Sequence, residues 1–238
     1  MLDLKVGLGR FFSSGEIIGL KAFHEKDEFE MSGLDKDLEG LGLHGQATET
    51  MLKLLATKRA ELPSLAAVSK CMDIREEQLR AIFADEDAIL TAAAEKALIR
   101  LMDHVTKAVV KADQNDPIAQ FKAIGAGYLE WADENHQACR LITNNAVLNA
   151  LQIPQLRRYL NSLNDLMVRT LIRAQATGQL SPQEDLHNMV VSHRVFGHGL
   201  SRLIVDSSGP NPKTGQTALA VAQERMADFI HRYVNSST

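Results

Sequence analysis

The sequence of 238 residues has little of what builds sheets, scaffolds or membrane spans. Aromatics make up 5% of it and prolines number six. With many alanines and leucines, that balance favours helices over strands. The two cysteines, Cys71 and Cys139, are too few for a disulfide scaffold and lack zinc-ligand spacing. Such usage fits a reducing, cytoplasmic setting. No apolar run reaches the roughly 18 residues that a spanning helix needs. The opening residues are broken by Asp3, Lys5, Arg10 and Glu16, so they lack a secretory core. Positive charge is not in excess: 26 Lys and Arg face 30 Asp and Glu, a formal charge of −4. A globally basic nucleic-acid coat is excluded, whereas a local basic patch is not.

Catalytic and metal signatures are missing as well. Gly7, Gly9 and Gly15 do not make GxGxxG, and no strand-helix unit follows them. No GxSxG and no Cys–His pairing occurs. His193 and His198 stand five apart, whereas a helical metal pair wants three or four. Glu130 and Glu134 share one helix face and read as solvated surface. The expectation is a non-enzyme without cofactor or metal.

What is present is helical periodicity from Thr48 onward. Met51, Leu54, Leu55 and Leu62 line a first helix, interrupted at Pro63. Ser64 is a fitting N-cap for a second helix over Leu65–Cys71. Met72, Asp73 and Ile74 form a tight turn. A third helix carries Leu79, Ile82 and Phe83 on one face. Asp85 or Asp87 caps a long fourth helix through Leu98, Leu101 and Val105, broken before Pro117. Further helices follow: one with Ile118, Phe121, Ile124 and Tyr128, an apolar one over Cys139–Leu151, and one from Leu156 to a stop at Gly178. Another opens at Pro182 and Glu184, and a last covers Leu219–Val234. Residues 1–45 differ, being rich in glycine and charge. They are expected to form a flexible arm with one short helix near residues 17–23. A start codon placed too far upstream, with Met31 or Met51 as the true one, is the other explanation.

The organisation expected is all-α: an arm over 1–45, a three-helix helix-turn-helix module over 46–92, and a larger helical bundle over 93–238. A helix-turn-helix lays its second helix against base edges while Lys and Arg clamp phosphates. Lys58, Arg59, Ser64 and Lys70 are candidates for the phosphates. Arg75, Gln78 and Arg80 are candidates for bases or phosphates. Against them, residues 46–100 hold eight basic and nine acidic side chains, a near-neutral module.

Leu54–Leu90 resembles the N-terminal domain of TetR/AcrR-type transcriptional regulators. The match rests on Leu54, Leu55 and Ala56, on Ser64, Leu65 and Val68, and on Ile74, Leu79, Phe83, Ile89 and Leu90. FKAIGAGYLEWADENHQACRLI at 121–142 is similar to the ligand-domain segment of many members. The stretch 174–206, with its Gly-Gln-Leu turn, is similar to their C-terminal helix pair. The resemblance covers residues 47–205 and implies a dimeric, ligand-responsive regulator, most simply a repressor of operator DNA. It implies a cavity for a small apolar or amphipathic effector, with Phe121, Tyr128, Trp131, Leu141, Met167, His193 and Phe196 as candidate lining. It implies a homodimer through the helices near 156–176 and 183–205. The departures fall on polar positions: the family usually has a glycine at Asp73, Tyr at Arg80, His at Ile82 and Lys at Glu86. Because that Lys and Tyr commonly touch phosphates, a second reading stands beside the first. It is a ligand-binding or protein-interaction protein of the same fold without sequence-specific DNA binding.

Overall fold

The computed structural model describes residues 41–57, 62–144, 148–207, 209 and 215–235. The expected arm up to residue 40, with its short helix, lies outside the described residues, as do Lys58 and Arg59. All regular structure among the described residues is helical. In chain order the helices are α1 (Leu43–Thr57), α2 (Leu65–Cys71), α3 (Glu76–Arg80), α4 (Glu86–Lys111) and α5 (Pro117–Glu134), then α6 (His136–Thr143), α7 (Pro154–Ala176), α8 (Leu186–Val205) and α9 (Ala218–Asn235).

Side-chain caps fix several of the starts. Ser64 accepts from the Ala67 amide at 3.2 Å and opens α2. Asp85 accepts from Ala88 at 2.8 Å and opens α4. Asp116 accepts from Ala119 at 2.8 Å, with Pro117 at the first helical position of α5, where its missing N–H costs nothing. Helix α8 starts later than its proline suggests, because Asp185 is the cap, accepting from Asn188 at 3.0 Å. Helix α7 ends as expected, with Gly178 at φ 73° just beyond it.

Three details depart from the periodicity. The helix expected over Cys139–Leu151 stops at Thr143, and a turn covers 150–152. Asn144 ends it, and asparagine competes with the helix for backbone hydrogen bonds. Ile82 does not join Leu79 and Phe83 in the core: α3 ends at Arg80 and Ile82 is 41% exposed. Leu62 is likewise exposed.

The N-terminal three helices close over Ala47, Met51, Leu65, Val68, Leu79 and Phe83, all buried. The His44 ring packs on Phe83 with centroids 4.8 Å apart. Helix α1 also lies on α4 and α6. Glu49 ties α1 to α4, meeting Lys96 at 2.6 Å and Arg100 at 2.7 Å. Burial alone would raise the Glu49 pKa, but the two cations outweigh it and hold the carboxyl below its usual value. In the rest of the chain α5 is central, touching α4, α6, α7, α8 and α9. Its Phe121, Ile124, Leu129 and Trp131 are almost completely buried.

Candidate nucleic-acid interface and cavity

Helices α2 and α3 make the helix-turn-helix. Their turn depends on Asp73, whose φ of 52° is left-handed, a conformation Asp tolerates better than most residues. The backbone there has the left-handed value expected where the resembled family usually carries a glycine. The exposed polar groups are less free than their residue types suggest. Ser64 is committed to its cap. Gln78 accepts from the Arg75 amide at 3.1 Å, so its carbonyl end is engaged. Arg80 is paired with Glu76 one turn earlier, at 2.6 Å. Lys70 and Arg75 are exposed and make no ion pair among the described residues.

Glu86 is the decisive side chain of this surface. Its Oε1 accepts from the Leu65 amide at 3.0 Å, at the first turn of α2. Helix N-termini attract anions, because their first amides lack carbonyl partners. Here the protein's own carboxylate takes one of those amides. The Leu65 amide, and then its own amide, hold the Glu86 carboxyl below its usual range, with nearby Arg80 adding to the effect. Sequence reasoning placed a charge reversal here but not its hydrogen bond, which bridges 21 positions of chain.

The second site is a cavity of about 440 Å³ between α4, α5, α6, α7 and α8. Buried Leu101, Ile124 and Met167 line its inner part. Exposed Leu151, Val191, Arg194, Val195 and His198 line its mouth. Of the seven residues expected at a ligand, Tyr128, Met167 and His193 reach the cavity. The other four do not line it. Trp131 is fully buried and stacks at 6.4 Å on Tyr128. Phe121 packs at 4.7 Å on His193, Phe196 stacks at 4.8 Å on Phe229, and Leu141 is core. Arg194 and His198 at the mouth were not expected. Their signal was spacing: Val191, Arg194, Val195 and His198 share one flank of α8.

Polar groups around the cavity are largely spoken for. The Tyr128 hydroxyl donates to Ser201 Oγ at 3.0 Å, and Ser201 donates to the His198 carbonyl at 2.8 Å. Thr143 donates to the Cys139 carbonyl at 2.6 Å. Burial pushes the Tyr128 phenol far above its usual pKa. It also raises the Cys139 thiol, so that sulfur stays protonated and poorly nucleophilic. His193 is the exception. Its Nε2 is buried without a hydrogen-bond partner, and a methyl added at Gly125 would lie 2.9 Å from it. Burial lowers the His193 pKa to about 4, so the ring is neutral at pH 7.

No family model matches the sequence, and no curated protein matches it either. Solved structures do match the fold. The fatty acid degradation regulator of Bacillus halodurans aligns at TM-score 0.64 and 11% identity, over 80% of this chain and 95% of its own. A TetR-family transcriptional regulator of Thermus thermophilus aligns at 0.56 and 18%, over 78% and 97%. The ketosteroid transcriptional regulator of Mycobacterium tuberculosis aligns at 0.56 and 15%, over 80% and 94%. The chain has the TetR-regulator fold. No described helix is long and apolar enough to cross a membrane.

Proposed function

We propose that the chain is a dimeric, ligand-responsive transcriptional regulator that binds operator DNA through α2 and α3 and represses a nearby gene. One observation carries this reading: a helix-turn-helix with an intact apolar frame and a ligand-sized cavity occur in one chain of TetR-regulator fold. Residues 46–92 serve as the DNA-binding head and 93–238 as the ligand and dimer body. Helix α4 runs across that boundary and would carry ligand-induced shifts to the head. Lys70 and Arg75, with Lys58, Arg59, Ser64, Gln78 and Arg80, form the DNA contact set. The effector is small and apolar or amphipathic, a reading supported by the apolar inner wall of the cavity. The names of two structural neighbours, one a fatty acid degradation regulator and one a ketosteroid regulator, fit such an effector. Dimerisation runs through α7 and α8, where Ile172 and Leu203, which do not line the cavity, stand 51% and 48% exposed.

The Glu86–Leu65 hydrogen bond favours a second reading, in which the fold is kept for ligand binding and operator recognition is lost. The test is an electrophoretic mobility shift with the DNA flanking the protein's own gene, at low salt. A regulator shifts it at micromolar protein, and the shift fades steeply with salt. No sequence-specific shift leaves the second reading.

A further inference from the structure

We infer that the cavity takes a single-chain amphiphile with a carboxylate head, its tail against Leu101, Ile124 and Met167 and its head on Arg194 at the mouth. This rests on the ligand-binding part of the proposed function and names the chemistry of that site. The inner wall offers an anion nothing. Tyr128 and Thr143 line the cavity, but each already donates its hydroxyl proton within the protein. His193 is neutral, and its buried Nε2 is turned against Gly125. A carboxylate pushed inward would lose its water without gaining a partner, a strongly unfavourable exchange. A hydrocarbon tail gains there, because Leu101, Ile124, Leu160, Leu163 and Met167 present apolar surface and the hydroxyls of Tyr128 and Thr143 are already paired within the protein.

The mouth is the opposite. Arg194 is the one Lys or Arg side chain lining the cavity among the described residues. It makes no hydrogen bond or ion pair among them and remains exposed. A guanidinium offers two parallel N–H donors that match the two oxygens of a carboxylate. His198 lies one turn further along the same flank and lines the mouth beside it. Tail burial and head pairing are therefore separated along one axis, which selects an amphiphile over a compact polar ligand.

The chain carries its own probe. Trp131 is the single tryptophan, and its ring stacks on that of Tyr128, which lines the cavity. Dodecanoate and dodecanol would be titrated into the full chain, followed by tryptophan fluorescence and by calorimetry. Dodecanoate is expected to bind about tenfold tighter than dodecanol, the effect of one exposed charge-assisted pair. Arg194→Gln should remove that preference and leave dodecanol binding unchanged, and Arg194→Lys should keep part of it. Equal affinities in the wild type, or a preference that survives in Arg194→Gln, would overturn the assignment. So would the absence of binding by both amphiphiles. Circular dichroism of each variant separates lost binding from lost folding. Operator binding is scored independently, so a chain that binds dodecanoate and not DNA retains this site and loses the regulator reading.

Discussion

Glu86 shows how one residue can preserve a fold while altering its surface. Its carboxylate stabilises the first turn of α2 as a capping group would. In the proposed operator complex the same carboxylate would set a negative charge on the DNA-facing surface. Glu86→Lys should therefore act in two directions. Operator affinity should rise about tenfold at low salt, and the log–log salt slope should steepen by about 0.9 as one phosphate contact is gained. Unfolding free energy should fall by roughly 0.5–2 kcal/mol for the lost cap, read from denaturant unfolding. The lowered Glu86 pKa means its stabilising contribution holds above the normal carboxylate pKa and fades as pH drops through the depressed one. His193 behaves as a base with the same sign. Its pKa falls from 6.5 to about 4 on folding, so the unfolded chain takes up the proton first. Stability should thus decline between about pH 6.5 and pH 4, by on the order of 3 kcal/mol in total. Unfolding titrations of His193→Gln should show a flatter pH dependence across that window.

At the scale of elements, the turn before α3 is legible in the sequence down to its strain. Asp73 stands where the family that the segment resembles usually has a glycine, and its φ of 52° is left-handed. Asp73→Gly should raise stability by about 0.5–1 kcal/mol, measured as a shift of the unfolding midpoint with unchanged slope. The start of α2 was equally legible, since Ser64 stands directly before an apolar run; for α4 the sequence offered Asp85 or Asp87, and Asp85 is the cap. Other boundaries were hidden by local competition. Cys139–Leu151 is apolar enough for one helix, but Asn144 breaks it after Thr143. Pro182 suggested the start of α8, whereas Asp185 holds the capping position three residues on. Ile82 follows the helical period of Leu79 and Phe83, yet α3 has already ended, so the period no longer describes its direction.

For the whole molecule, sequence and structure differ most at the cavity. Phe121, Trp131, Leu141 and Phe196 have the composition of pocket walls but serve as core packing rather than lining. Apolar residue types do not encode whether the space beside them is filled, because that depends on how α5, α7 and α8 splay. The outer face of α7 and α8 can be tested more simply. Ile172→Glu combined with Leu203→Glu should convert a dimer to a monomer in sedimentation velocity, with circular dichroism unchanged. A wild type that sediments as a monomer, or a double variant that stays dimeric, would remove that face from the proposed assembly. If α4 links cavity and head, dodecanoate should also weaken any operator complex, by a factor set by its differential affinity for the two states.

The most direct measurement is the mobility shift of the gene's own flanking DNA, run side by side with wild type and Glu86→Lys at low and at physiological salt. The proposed regulator shifts that DNA at micromolar concentration, loses it with salt, and binds it more tightly as Glu86→Lys. Absence of a specific shift for both proteins would contradict DNA regulation and leave a ligand-binding protein on the TetR-regulator fold.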